Sequence, residues 1–301
     1  MSFRITDSTR AQRLTQQINA ARQRLDAAQE QVATGKRINH PSDDPSGASA
    51  IFRLRTTQIQ LDQFTRNLDV AKESLSVADT ALESYQQAID RTRVLLARAA
   101  TDPTLDKARV PIATELAGII DRVREVANTQ FGDHYVFGGT RLSAPPFDNN
   151  GVLTTVPTTD ATVQADPQGN LVSTSVTAES FLADASGTIF DVLKTALTAV
   201  QGTGNATNDA STLRAAVDRL RVFTDLSSGA RARVGENLNH ATDISDRLKQ
   251  YNLALEDSAQ RIENVDLAEA ATALKESDTV LNAILQAGSQ FGRRTLMDFL
   301  G

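Results

Sequence analysis

Apolar residues recur along the first part of the chain in alternating steps of four and three. Leu14, Ile18, Ala21, Leu25, Ala28 and Val32 form one such series, the seam of an α-helix that packs through heptads. The series stops at Gly35, and Pro41 and Pro45 follow, so helix does not continue through this stretch. Asp44 before Pro45 predicts a new helix start. A carboxylate there accepts from orphan N–H groups, and proline in first position forfeits no intrahelical bond. Beyond it Leu54, Leu61, Phe64, Leu68, Ala71, Leu75, Ala78, Leu82, Tyr85, Ile89, Thr92, Leu96 and Ala99 keep heptad spacing as far as Asp102-Pro103. Roughly 55 helical residues would be about 80 Å long at 1.5 Å per residue. A third helix carries Ile112, Leu116, Ile119, Val123 and Val126, and Pro111 should start it afresh or kink it.

From Gly132 the pattern changes. Gly138-Gly139, Pro145-Pro146 and Asn149-Asn150-Gly151 are turn formers. Short β-branched or alternating pieces at Val152–Val156, Thr162–Ala165 and Leu171–Thr177 predict strands, and Asp166-Pro167-Gln168-Gly169 suits a type I turn. Helix periodicity returns at Thr188–Gln201, breaks at Gly202–Asn205, runs from about Asp209 to Glu263, and resumes over Asp266–Phe299. Helices, strands and helices in that order predict a mainly α fold. It is a long antiparallel helical bundle or coiled coil built from both chain ends, with a small β-rich insert at the tip. The expected domains are nested: 1–45 with 261–301 as a terminal coiled coil, 46–145 with 187–260 as a helical rod, and 146–186 as the insert, too short for a large core of its own.

Composition sharpens this reading. Aromatic residues are only 5% of the chain, and there is no Trp, so packing rests on Leu, Ile, Val and Ala. Residues 1–40 carry 7 basic and 3 acidic side chains, and 241–301 carry 6 basic and 10 acidic ones, so the two ends attract weakly. The net charge of −6 argues against nucleic-acid binding. With no Cys, disulfides and thiolate metal sites are excluded. The N-terminal residues show no apolar core of a cleaved signal, and no apolar run is long enough to predict a membrane span.

Signs of catalysis are absent from the pattern. There is no phosphate-binding G-x-x-x-x-G-K-[ST] and no H-E-x-x-H. His40, His134 and His240 fall in different segments and read as surface residues rather than metal ligands. Asp43-Asp44 reads as helix capping, and Gly138-Gly139-Thr140-Arg141 as a turn rather than a phosphate seat. The reading is therefore of a non-enzyme with no metal and no cofactor.

The terminal seams are more informative. A helix of about 20 residues is marginal alone, and one two-helix hairpin has room for a single stripe. Ile5, Leu267, Ile284, Leu285, Phe291, Leu296, Phe299 and Leu300 exceed that, and surplus apolar surface at a domain end marks association. The expected assembly interface is Leu14, Ile18, Leu25, Val32, Leu267, Leu274, Leu281 and Ile284. Phe291, Leu296, Phe299 and Leu300 are expected to form a C-terminal assembly segment.

Three stretches carry a resemblance. They are Gly35-Lys36-Arg37-Ile38-Asn39 with Pro41–Ala48, then Ser228–Asn239, then Ser258–Ala270 with the terminal Thr295–Leu300. Together they resemble the flagellin superfamily of bacterial axial proteins. His134–Thr140 followed by Pro145-Pro146-Phe147, with Gly187–Leu193 and the Leu-Met-Asp-Phe-Leu ending, is most similar to the hook–filament junction family within it. The resemblance implies a structural protein exported unfolded through the flagellar type III apparatus, held in the cytoplasm by a chaperone on its C-terminal region, and polymerising outside the cell. Its implied partners are further copies in a ring, the other hook-associated junction protein on the hook side, and flagellin and the filament cap distally. Flagellin itself is the alternative. A signalling coiled coil is a more remote one, and would need a membrane span or partner domain that the sequence does not display.

Overall fold

A computed structural model describes residues 7–101, 109–141, 143–148, 151–154, 159–202 and 205–300, with side chains from 9 to 289 except that of residue 10. The described residues form seven helices and three two-stranded antiparallel ribbons, a mainly α chain whose long helices pack on one another. In chain order these are α1 (Asp7–Thr34), α2 (Pro45–Thr101), α3 (Arg109–Ala127), β1 (Gln130–Phe131), β2 (His134–Tyr135), β3 (Thr162–Gln164), β4 (Leu171–Ser173), α4 (Glu179–Leu182), β5 (Ala183–Asp184), β6 (Gly187–Thr188), α5 (Ile189–Gln201), α6 (Ala206–Glu263) and α7 (Leu267–Leu300). They divide into two compact units, residues 1–59 with 251–301 and residues 60–250.

The second unit holds the main core. Leu61, Leu68, Leu75, Leu82, Ile89 and Leu96 lie seven apart on α2, and all are buried. Against the later part of this stripe pack Leu116 and Val123 of α3, Phe190 and Leu193 of α5, and Leu220, Phe223 and Val234 of α6. Residues of the expected insert belong to the same core: Phe147, Val176, Phe181 and Leu182 are all buried within it. The Phe181 ring meets Tyr85 edge-on at 5.3 Å and Phe137 at 5.0 Å, and Phe147 lies 4.9 Å from Phe190. The Tyr85 hydroxyl donates to the Phe181 carbonyl at 3.2 Å, which satisfies the polar end of an otherwise apolar side chain.

Local chemistry sets the helix ends. Thr188 caps α5 in a reciprocal box with Asp191, which satisfies two orphan donors at once. Pro111 sits in the first turn of α3, where its missing N–H costs no intrahelical bond. Helix α6 begins at Ala206, three residues before the expected start, because the Asn205 side chain accepts from the Asn208 N–H at 3.2 Å. The expected end of α2 at Asp102-Pro103 lies outside the described residues, as do Thr155 and Val156 of the predicted strand Val152–Val156. Its Leu153 makes only an isolated bridge to Phe147. Strands β3 and β4 pair as Thr162–Ser173, Val163–Val172 and Gln164–Leu171. They are joined by the predicted turn, closed by the Gly169 N–H to the Asp166 carbonyl at 3.2 Å. The Asp184 carboxylate holds the β5–β6 ribbon on α6 through a two-pronged bond to Arg219, 2.8 Å on each prong.

Candidate assembly interface

In the first unit α1 and α7 pack as an antiparallel pair. A Cβ added to Gly288 would lie 3.1 Å from Leu14 Cδ2, and at the other end Lys36 bridges Asn264. Counting up one helix and down the other from Leu14–Gly288 sets Ile18 level with Ile284, Ala21 with Leu281, Leu25 with Ser277, Ala28 with Leu274, and Val32 with Ala270. At every level but Ile18–Ile284 a large side chain faces a small one, so the helices can approach closely. Ala21, Ala28 and Ala270 are buried. Leu14, Ile18, Leu25, Val32, Leu274, Leu281 and Ile284 are only half-buried, and Gly288 and Ser277 likewise. Leu267 stands clear of the seam at 58% exposure, with Val280 and Leu285 exposed on the same helix. The side chains of Phe291, Leu296, Phe299 and Leu300 lie outside the described residues. The sequence reading passed over Ala270 and Ser277, whose small size opposite large residues was the available signal.

The seam ends in a knot of four helix termini. Gly35 closes α1 with φ +69° and its N–H on the Gln31 carbonyl, a left-handed cap that glycine takes without strain. The chain then runs antiparallel to 263–265: the Arg37 N–H donates to the Glu263 carbonyl at 2.7 Å, and the Val265 N–H to the Gly35 carbonyl at 3.1 Å. The Glu263 carboxylate receives Lys36 Nζ at 2.6 Å and Arg55 Nη2 at 2.7 Å. Burial pushes this carboxyl's pKa up, and the hydrogen bonds from Lys36 and Arg55 outweigh burial and hold it below the ordinary value. Arg37 Nη2 reaches both the Ile262 carbonyl and Asp44 Oδ2, each at 3.1 Å. It thus puts positive charge at the C-terminal end of α6. Asp44 caps α2 by accepting from the Gly47 N–H at 2.9 Å and the Ser46 hydroxyl. These bonds, with Arg37, hold its pKa at about 2. Asp43 turns the other way and accepts from the Asn39 and His40 N–H groups, so one carboxylate caps the helix and its neighbour ties the loop. Gly47 has no room for a side chain: an added Cβ would lie 2.6 Å from both Asp44 Oδ2 and Ile38 Cδ1.

The residues weighed for other chemistry stay apart. His40 stands 3.3 Å from Glu30 and His134 3.4 Å from Asp133, while His240 is exposed on α6. Among the described residues no group of three His, Cys, Asp or Glu could hold a metal ion, and no helix is long and apolar enough to cross a membrane. Gly138 and Gly139 form a turn, with the Arg141 N–H on the Gly138 carbonyl at 3.1 Å. An open groove of about 400 Å³ between α2 and α3 sets Glu125 among Ser76, Thr80, Ser84 and apolar residues.

Comparisons with known proteins agree with this architecture. Residues 5–141 match the family described as the bacterial flagellin N-terminal helical region. A flagellar hook-associated protein 3 of Salmonella typhimurium is 34% identical over 120 residues, which covers 40% of this chain and 38% of that protein. A Listeria innocua flagellin is 24% identical over 243 residues, 80% of this chain and 79% of that one. The fold superposes with TM-score 0.69 on a putative flagellar hook-associated protein of Vibrio parahaemolyticus, at 18% identity, over 74% of this chain and all of that one. The chain thus aligns with under two-fifths of the hook-associated relative's length. Over residues 5–141 the chain is thus similar to the N-terminal helical region of bacterial flagellins.

Proposed function

We propose that this chain is a structural axial protein of the bacterial flagellum that polymerises through its terminal helices at the junction of hook and filament. The observation that carries the reading is the unfinished seam. Seven of the eight expected interface residues lie on paired faces of α1 and α7 yet stay half-exposed, and Leu267, Val280 and Leu285 face outward. A second layer of helices from neighbouring copies would complete that burial. In the assembled state residues 1–45 with 261–301 form the inner coiled-coil layer, 46–145 with 187–260 the helical rod, and 146–186 the outer part. The chain leaves the cytoplasm through the type III apparatus with a chaperone on its C-terminal segment. It then meets the other hook-associated protein on one side, and flagellin or the filament cap on the other. The name of the Salmonella typhimurium relative favours the junction. The longer match to a Listeria innocua flagellin keeps filament subunit as the second reading.

Immunogold labelling of flagella with an antibody to residues 146–186 separates the two. A single band where hook meets filament supports the junction role, and labelling along the filament makes this a flagellin. Leu281→Asp is expected to abolish self-association while leaving the helices of residues 60–250 folded. Filaments of normal length from a strain carrying only that variant would sink the assembly role.

A further inference from the structure

The apolar seam does not by itself choose one alignment of α1 against α7. Sliding α1 by one heptad would set Leu14 level with Leu281, Ile18 with Ser277, Ala21 with Leu274, Leu25 with Ala270 and Ala28 with Leu267. Large would again face small at four of these five levels, while Val32 would leave Ala270 for Glu263, so the two registers differ in apolar packing by a single level. The slide is about 10 Å along the axis. The two ends of the hairpin differ in slack. Helix α7 is tied to α6 by three residues, 264–266, whereas α1 is tied to α2 by ten, 35–44. Ten residues can reach about 33 Å, so chain length permits α1 to slip. The bonds at the knot take up that slack: Arg37 is held at the Ile262 carbonyl and Asp44, Lys36 at Glu263, and the Gly35 and Arg37 backbones on residues 263–265.

We infer that Lys36 and Arg37, gripped by the C-terminal end of α6 through Glu263 and the Ile262 carbonyl, are positioning residues that select the α1–α7 register. The register is a property of the single chain. Which apolar side chains it then turns toward a second copy rests on the assembly reading above.

The test is a distance measurement on the full chain refolded from denaturant. The protein has no native cysteine, so spin labels go only where they are placed. The exposed positions Gln23 and Thr279 are level in the observed register, and Gln23 and the exposed Thr272 would be level in the slipped one. Double electron–electron resonance is recorded for both labelled pairs, diluted in unlabelled protein. Wild type should give one population for each. Arg37→Ala with Glu263→Ala should add a second, in which the 23–279 pair lengthens while the 23–272 pair shortens. Unchanged single populations overturn the inference. So does broadening without a second maximum together with lost helical circular dichroism, the result expected of residues that merely stabilise. If that double variant does not fold, Lys36→Ala with Arg37→Ala leaves the Arg55–Glu263 pair in place, and the same two distances decide.

Discussion

Replacing Phe181 by alanine removes a ring with no solvent exposure from a site where neither aromatic neighbour can follow it. Tyr85 and Phe137 are themselves fully buried, 5.3 and 5.0 Å from the Phe181 ring. Tyr85 is held by its bond to the Phe181 carbonyl, which the substitution leaves intact. The site therefore collapses poorly, and the cost sits in the upper part of the range of about 3–5 kcal/mol for a buried phenylalanine truncated to alanine. Edge-on ring contacts of about 0.5–1.5 kcal/mol each are included in that loss. A domain stable by about 5–15 kcal/mol loses a large share of its margin. For a unit of this size the melting midpoint falls by roughly 8–20 °C. Urea unfolding followed by far-ultraviolet circular dichroism reads the change directly. Leu171→Ala is the control: it lies in the same segment but is 58% exposed, and should cost less than about 0.5 kcal/mol. If Phe181→Ala costs less than about 1 kcal/mol, residues 146–186 do not share the helical core.

Gly47→Ala drives a methyl into Asp44 and Ile38. It should cost about 2–4 kcal/mol, from a cap worth about 1 and overpacking of about 1–3, read as a lowered denaturation midpoint; a neutral result refutes the tight corner. Because the Glu263 carboxyl titrates lower in the folded chain than its ordinary value, its contribution is complete above about pH 4.3 and is lost as pH falls through the folded value. Melting temperature against pH should therefore drop less steeply on the acid side for Glu263→Gln than for wild type, and parallel curves would refute the ion-pair account. Arg219→Ala breaks the two-pronged bond to Asp184 and should cost about 1.5–3 kcal/mol. A double-mutant cycle with Asp184→Ala should return a coupling of at least about 1 kcal/mol, and additivity would show the two act separately.

The long helices were legible because a seven-residue repeat sustained over many turns has no competing reading. Leu61 through Leu96 on α2 are both the heptad series and the buried stripe. Helix starts at Pro45 and near Thr188 were legible through their capping residues, Asp44 and Thr188. The ribbons β1–β2 and β5–β6 were missed because two paired residues on each strand cannot display a period of two. The Gly132-Asp133 turn of the first, with Gly132 at φ +62°, was the signal available. Helix α4 is four residues long, shorter than any helical repeat. Phe181 gave no sign of its partners, since Tyr85 lies 96 residues earlier in the chain. Within the interface the large members of the seam stood out and two of the small ones, Ala270 and Ser277, did not, because hydrophobicity alone does not mark a position whose role is to make room.

The first unit is made from the two ends of the chain, and the bonds between those ends join residues 208 to 230 positions apart. Such contacts carry the largest loop-closure cost and the slowest formation. During synthesis, residues 60–250 are complete before α7 emerges from the ribosome. In a nascent chain α1 therefore waits without its partner helix until synthesis is nearly finished. The order reverses on opening: the terminal pair, half-buried and closed last, is the part whose amides should exchange with solvent first.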